Sequence, residues 1–128
     1  MVLTEHEAIR AYARMMNTGD LRHFEPFIAD DIELKSQVQS EPVQGKQEFL
    51  EHMAKNLERF TDDAPLWAEI GEIYKSGRLR PCAVLSQYSR ENMVASATIE
   101  LRDNQVSRLN LFFIPSPEEA ALTGEVPV

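Results

Sequence analysis

The second half of the chain contains four strand-like segments that are separated by very short turns. The segments combine apolar, β-branched and aromatic residues, and they are Leu66–Lys75, Leu79–Ser89, Met93–Arg102 and Val106–Ile114. The turns between them are Ser76-Gly77, Arg90-Glu91 and Asp103-Asn104. Because a parallel pair needs a crossover of about a dozen or more residues, strands joined this closely must pair antiparallel. This half therefore predicts an antiparallel meander, against which the helices of the first half must pack.

The first half begins with a helix whose two ends are both marked in the sequence. Thr4 and Glu7 match the capping box, in which each side chain satisfies a backbone donor of the first turn. Gly19 is placed to end this helix in a left-handed conformation. Asp20 can then cap a second helix over residues 21–28, which its proline keeps to about two turns. We therefore expect a long helix followed at once by a short one.

A strand and a third helix separate the short helix from the meander. Residues from Ile32 to Val38 alternate apolar and polar side chains, which is typical of a half-buried strand. After a polar loop, residues 46–60 form an amphipathic pattern that places Arg59 on the polar side of a helix. The C-terminal tail, residues 115–128, contains three prolines and is expected to be an appendage or a short helix over the surface.

Length and charge limit the classes of protein to which the chain can belong. Its 128 residues suit one domain, and 13 basic against 21 acidic residues give a net charge of −8. This balance is the opposite of what nucleic acids or anionic lipids attract. The sequence shows neither a membrane-spanning segment nor a secretory signal, so we expect a cytoplasmic protein without nucleic acid or membrane partners. Cys82 lies in an apolar run and is expected to be a buried, unreactive thiol.

Four short motifs stand at the boundaries of the expected elements. They are Asn17-Thr18-Gly19-Asp20, Ile28-Ala29-Asp30-Asp31, Gly45-Lys46 and Val106-Ser107-Arg108-Leu109-Asn110-Leu111-Phe112-Phe113. In their order and spacing the chain resembles the nuclear transport factor 2-like superfamily, and in particular its SnoaL-like, polyketide-cyclase-like branch. The resemblance implies one α+β domain over residues 1–128. A strongly curved, mainly antiparallel mixed sheet would form a cone-shaped barrel around the long N-terminal helix, with three helices in total.

Such a cone leaves an apolar cavity between its sheet and helices, and this cavity is where we expect function. A small hydrophobic molecule is the expected ligand, and the residues expected to hold it are Met16, Met53, Trp67, Leu111 and Phe113. Strand alternation supports this assignment on the last strand, where Leu109, Leu111 and Phe113 share one face. The outer face of the sheet would pair two copies into a homodimer, as is common in the superfamily.

Tyr12, Ser36 and His52 are the candidate catalytic residues. Ketosteroid isomerases share the fold and use a tyrosine and a neutral aspartic acid as donors, with a carboxylate as base. Their tyrosine aligns with Tyr12, but the position of their base falls on Ser36 and that of their neutral acid near Ala97 or Thr98. A serine cannot shuttle a proton near neutral pH as a carboxylate does. His52 borders the apolar stripe of the third helix and could act as a base if its ring reaches the cavity.

Each of these residues also has a purely structural interpretation. Tyr12 can be a core aromatic with a satisfied hydroxyl, Ser36 can simply end a strand, and His52 can be solvated or packed on its helix. None of the three histidines shows the paired spacing of a helical metal site, and we expect neither a metal nor a cofactor. Three functions stay open: a binding protein for a hydrophobic molecule, a cofactor-independent isomerase or cyclase that uses Tyr12 to polarise a carbonyl, and a dimeric interaction scaffold.

Overall fold

Residues 2–128, the part of the chain that the computed structural model describes, form one seven-stranded mixed sheet with two α-helices. The helices are α1 (Glu5–Thr18) and α2 (Lys46–Leu57). The strands are β1 (Ile28–Ser36), β2 (Val43–Gln44), β3 (Leu66–Lys75), β4 (Arg78–Gln87), β5 (Met93–Arg102), β6 (Gln105–Phe112) and β7 (Ala121–Leu122). They lie side by side in the order β2-β1-β6-β5-β4-β3-β7.

The predicted meander is confirmed, because β3, β4, β5 and β6 pair antiparallel in sequence order. Its tight turns use left-handed residues, with φ of 55° at Ser76 and 84° at Gly77. The sheet is mixed because β1 pairs parallel with β6 and carries β2 on its other side. It is strongly curved, as expected for a cone, but it is not closed into a barrel. Its two ends, β2 and β7, stay apart as edges.

The first helix begins and ends where the sequence predicts. The Thr4 hydroxyl accepts a hydrogen bond from the Glu7 backbone N–H at 3.1 Å, and Gly19 has a φ of 73°. The predicted short helix is present as two successive 3₁₀ turns, Leu21–His23 and Glu25–Phe27. Within residues 2–128, none of the helices has the length and apolar character needed to cross a membrane.

The second α-helix is three residues shorter than predicted. It ends at Leu57, and the chain then tightens, because the Arg59 N–H donates to the Asn56 carbonyl and the Phe60 N–H to the Leu57 carbonyl. Bonds between residues three apart are typical of a helix that is unwinding at its end. Residues 58–60 therefore turn away from the direction of the helix.

Side chains of the sheet divide between two apolar clusters, one on each face. The main core lies between the sheet and α1, which packs against β3, β4 and β5, and it includes Leu109 of β6. The opposite face holds a smaller cluster of Ile73, Cys82, Val84 and Phe112. Leu109 and Phe112 thus lie on opposite faces, as strand alternation requires.

The C-terminal tail is bound to the edge of the sheet. It contains a 3₁₀ turn, Pro117–Glu119, which fits the expected short helix, and then β7, which pairs with β3 and was not predicted. At this edge Gly71 allows the backbone of β7 to approach β3 closely, because a Cβ at this position would lie 3.1 Å from the Ala121 carbonyl oxygen. Further along, the Ile70 N–H donates to the Glu125 carbonyl at 2.8 Å. The tail therefore covers an edge of the sheet that would otherwise leave its backbone groups unpaired.

Asn17 should be the most costly polar residue to remove. Its amide nitrogen donates to the carbonyls of Ala68 at 2.9 Å and Pro127 at 2.8 Å, and its oxygen accepts from the Ala68 N–H at 2.7 Å. Asn17→Ala leaves these partly buried backbone groups without partners. We expect the free energy of unfolding to fall by about 2 kcal/mol, measured by chemical denaturation.

Thr18→Ala is the matched control, since the Thr18 hydroxyl bonds only to the carbonyl of Arg14 in its own helix. Its effect should stay within about 0.5 kcal/mol. Equal losses in the two variants would show that Asn17 does not link the helix to β3 and the tail.

Cys82 should resist thiol reagents in the folded protein. It is fully buried, and burial, with a smaller contribution from the Glu72 carboxylate, raises the pKa of its thiol to about 12. Because the thiolate is the reactive form, dithiobis-nitrobenzoate should label Cys82 only when guanidinium chloride unfolds the chain. Rapid labelling without denaturant would contradict this placement.

Candidate functional site

A cavity of about 310 Å³ opens between α1, α2 and the face of the sheet that carries the helices. Its position follows from how the helices cover the sheet. The first helix packs on β3, β4 and β5 and the second on β1, so that β6, which lies between β1 and β5, is mostly left uncovered. The gap between the two helices over β6 is this cavity.

The deep part of the cavity is formed almost entirely by carbon. Its buried lining residues are Tyr12, Met16, Leu34, Met53, Leu85 and Leu109, each at most 6% exposed. Thioether and aliphatic side chains adapt readily to an apolar ligand. The hydroxyl of Tyr12 is the one oxygen that the side chains of this buried group supply.

Tyr12 is held in place by aromatic packing and keeps its hydroxyl unpaired. Its ring meets Phe24 edge to face, with 5.7 Å between centroids, and Phe24 packs in turn on Phe49. Within the described residues 2–128, the Tyr12 hydroxyl forms no hydrogen bond. Burial raises the pKa of Tyr12, so the hydroxyl stays protonated and can donate to an acceptor in the cavity.

The other two candidate catalytic residues line the same cavity. Ser36, at the end of β1, pairs with Leu111, and its Oγ accepts a hydrogen bond from the Val38 N–H at 3.3 Å. His52 lies half-buried on α2. Tyr12, Ser36 and His52 thus line one cavity.

A carboxylate is missing from this arrangement. Of the described residues that line the cavity, none is Asp or Glu. The second acid of the isomerases has no counterpart either, because Ala97 is buried in the main core and Thr98 alternates onto the other face of β5. The lining thus offers hydrogen-bond donors without a strong general base.

Three of the five predicted ligand-binding residues line the cavity, and two do not. Met16, Met53 and Leu111 are part of its wall. Trp67 instead lines a neighbouring opening beside the C-terminal end of α1, which shares Met16 and Phe60 with the cavity. On β3, Ala68 and Ile70 belong to the main core. Because side chains alternate between the faces of a strand, Trp67 lies on the opposite face.

Phe113 also lies outside the cavity. It comes directly after β6 and is 43% exposed. The side-chain oxygen of Gln37 accepts hydrogen bonds from the Phe113 and Ile114 N–H groups at 2.8 and 3.0 Å, so the strand pairing ends here. The prediction that Phe113 continues the alternation of β6 was wrong, because the strand ends one residue earlier.

The mouth of the cavity contains polar residues that the sequence did not identify. Gln39 and Arg59 are exposed there, and Asn56 is half-buried. Arg59 was predicted on the outer side of a longer helix, but α2 ends at Leu57 and the following turn brings Arg59 to the cavity. The one available signal was helical spacing, because Asn56 follows His52 by four residues.

Comparisons with solved structures identify the fold. A protein from Pseudomonas putida provisionally named a polyketide cyclase has a TM-score of 0.63 at 17% identity, over 93% of this chain and 99% of that one. An NTF2-like protein of unknown function from Cytophaga hutchinsonii has 0.60 at 11% identity, over 90% and 96%. A protein from Kribbella flavida provisionally named a ketosteroid isomerase has 0.58 at 19% identity, over 84% and 76%.

The chain has the NTF2-like, cystatin-type α+β fold that the sequence motifs indicated. No protein-family profile matches the sequence, and no curated protein matches it significantly. Because unrelated activities share one fold, function must be argued from the cavity itself.

Two substitutions of Tyr12 test whether its hydroxyl is unpaired in the cavity. Tyr12→Phe removes no hydrogen bond within residues 2–128, so the free energy of unfolding should change by less than about 1 kcal/mol. Tyr12→Ala, which deletes the packed ring as well, should lower it by about 4 kcal/mol. Both values come from urea denaturation monitored by circular dichroism. A large loss in Tyr12→Phe would mean that the hydroxyl is satisfied inside the protein.

Proposed function

We propose that this chain, which has the NTF2-like fold, binds a small hydrophobic molecule in the cavity between its helices and sheet. The observation that carries the proposal is the lining, where buried apolar side chains surround a single unpaired hydroxyl. Ligand sites in proteins typically combine apolar walls with a few orienting polar groups, and they range from about 300 to 1,000 Å³. At about 310 Å³ the cavity suits a small molecule.

The energetics of packing support the same proposal. Protein interiors are filled to the density of organic crystals, and apolar voids cost stability in proportion to their size. The neighbouring core of this chain is filled, with Ile9, Met15 and Phe49 each at most 1% exposed. A ligand with an apolar body would supply the contacts that Met16, Met53 and the leucines lack toward the cavity.

Catalysis is the second candidate function, and Tyr12 is the observation that favours it. A neutral phenol in an apolar site can donate to a carbonyl oxygen and stabilise the negative charge that develops there. Two solved structures of this fold bear the provisional names polyketide cyclase and ketosteroid isomerase. A cofactor-independent isomerase or cyclase would then depend on Tyr12, with His52, Ser36 or a water molecule moving the proton.

A homodimer through the sheet face, an interaction scaffold and a cytoplasmic location stay predictions. The apolar residues Ile73, Cys82, Val84 and Phe112 on that face are already buried within one chain. Light scattering coupled to size-exclusion chromatography measures the mass in solution and decides between one copy and two.

The binding proposal is tested with a neutral dye, N-phenylnaphthylamine, whose fluorescence rises in apolar surroundings. We expect saturable binding by the wild-type protein. Leu111→Trp places a larger side chain in the wall of the cavity and should weaken binding at least tenfold.

Leu79→Trp is the matched control. Leu79 is 57% exposed at the start of β4 and does not line the cavity, so this variant should bind the dye as the wild type does. Two results would overturn the proposal: no saturable binding by the wild type, or equal binding by Leu111→Trp and the wild type.

A further inference from the structure

The mouth of the cavity differs in charge from the rest of the chain. The chain has a net charge of −8, with 21 acidic residues. Of the described residues around the cavity, none is acidic, whereas Arg59 is cationic. A carboxylate side chain at this position would repel an anionic group, and its absence removes that repulsion.

Within residues 2–128, the guanidinium of Arg59 forms no ion pair with a carboxylate, and the same holds for Arg14 and Arg80. Six other arginines form ion pairs with carboxylates, and these are Arg10, Arg22, Arg78, Arg90, Arg102 and Arg108. The guanidinium of Arg59 makes neither an ion pair nor a hydrogen bond within residues 2–128. Glu58 and Asp62 are close in sequence, but neither lines the cavity, and Asp62 borders the neighbouring opening beside α1.

The polar residues of the mouth lie together because of the way α2 ends. His52 and Asn56 are four residues apart and share a side of the helix. Arg59 follows in the turn, where its N–H donates to the Asn56 carbonyl at 3.1 Å. Gln39, from the loop after β1, lines the same mouth. Arginine and side-chain amides are all donors, and the planar fork of a guanidinium matches the two oxygens of a carboxylate.

We propose that the ligand of this cavity is an amphipathic anion, whose carboxylate or similar oxyanion binds at the mouth beside Arg59. Its apolar body lies deeper, against Met16, Met53 and Leu109. This inference rests on the proposed function and adds the chemical class of the ligand. Arg59 fixes the direction in which such a molecule enters, because the charged group stays where water still reaches it.

Two dyes that differ in one charged group test the inference. Anilinonaphthalene sulfonate is anionic, and N-phenylnaphthylamine shares its aromatic body without the charge. We expect the wild type to bind the anionic dye more tightly than the neutral one. Arg59→Gln should weaken binding of the anionic dye about fivefold, the upper value for an exposed ion pair, and should weaken binding of the neutral dye by a clearly smaller factor.

Lys55→Gln is the matched control, since it removes the same charge from α2 at an exposed position that does not line the cavity. It should leave both dissociation constants unchanged. In the wild type, affinity for the anionic dye should fall as salt is raised, and Arg59→Gln should reduce this dependence.

The outcomes separate this inference from the proposal beneath it. Two results would overturn the assignment of an anionic ligand while the neutral dye still binds. In the first, Arg59→Gln binds the anionic dye as the wild type does. In the second, Lys55→Gln weakens binding of the anionic dye as much as Arg59→Gln does. If neither dye binds the wild type, both proposals are overturned. A selective loss of the anionic dye in Arg59→Gln supports the inference.

Discussion

The packing of α1 on the sheet, which positions the cavity, combines a buried apolar face with the hydrogen bonds of the Asn17 side-chain amide. The amide bonds to β3 through both backbone groups of Ala68 and to the C-terminal segment through the carbonyl of Pro127. Tyr12 and Met16 lie on the same helix, five residues and one residue before it. These hydrogen bonds, together with the buried apolar face of α1, hold the helix that supplies Tyr12 and Met16 to the wall of the cavity.

The two faces of the curved sheet are covered by different parts of the chain. On the face away from the helices, Phe112 is buried, and the Lys75 Nζ lies 4.2 Å from the centre of its ring. Arg108 bridges Glu33 and Glu100 at 3.1 and 3.4 Å on that face. On that face the sheet is covered by its own side chains. On the other face it is covered by two helices, and the gap between them is the cavity. The candidate site therefore lies on the helix side of the sheet.

Features that depend on neighbours in sequence could be predicted, and features that depend on distant contacts could not. The cap at Thr4, the stop at Gly19 and the turns of the meander each need only a few residues. In contrast, β7 has two residues and shows no periodicity, so only its pairing with β3 makes it a strand. Arg59 reaches the cavity because α2 ends at Leu57, and neither a glycine nor a proline marks that end in the sequence. Of the residues that line the candidate site, Tyr12, Met16, Ser36, His52, Met53 and Leu111 were predicted from the sequence, whereas Gln39, Asn56 and Arg59 at the mouth were missed.

The chemistry that this cavity can support depends on which hydrogen bonds and protons its polar groups can donate or accept. Tyr12 is protonated at depth, and Arg59 at the mouth is a permanent donor, so both ends favour a ligand with acceptor oxygens. Removing a proton from carbon needs a base, and the described lining contains no carboxylate to serve as one. A reaction here would have to move the proton through His52, Ser36, a water molecule or an oxyanion carried by the substrate itself. The donors alone suffice to hold a ligand, which is why binding takes precedence over catalysis.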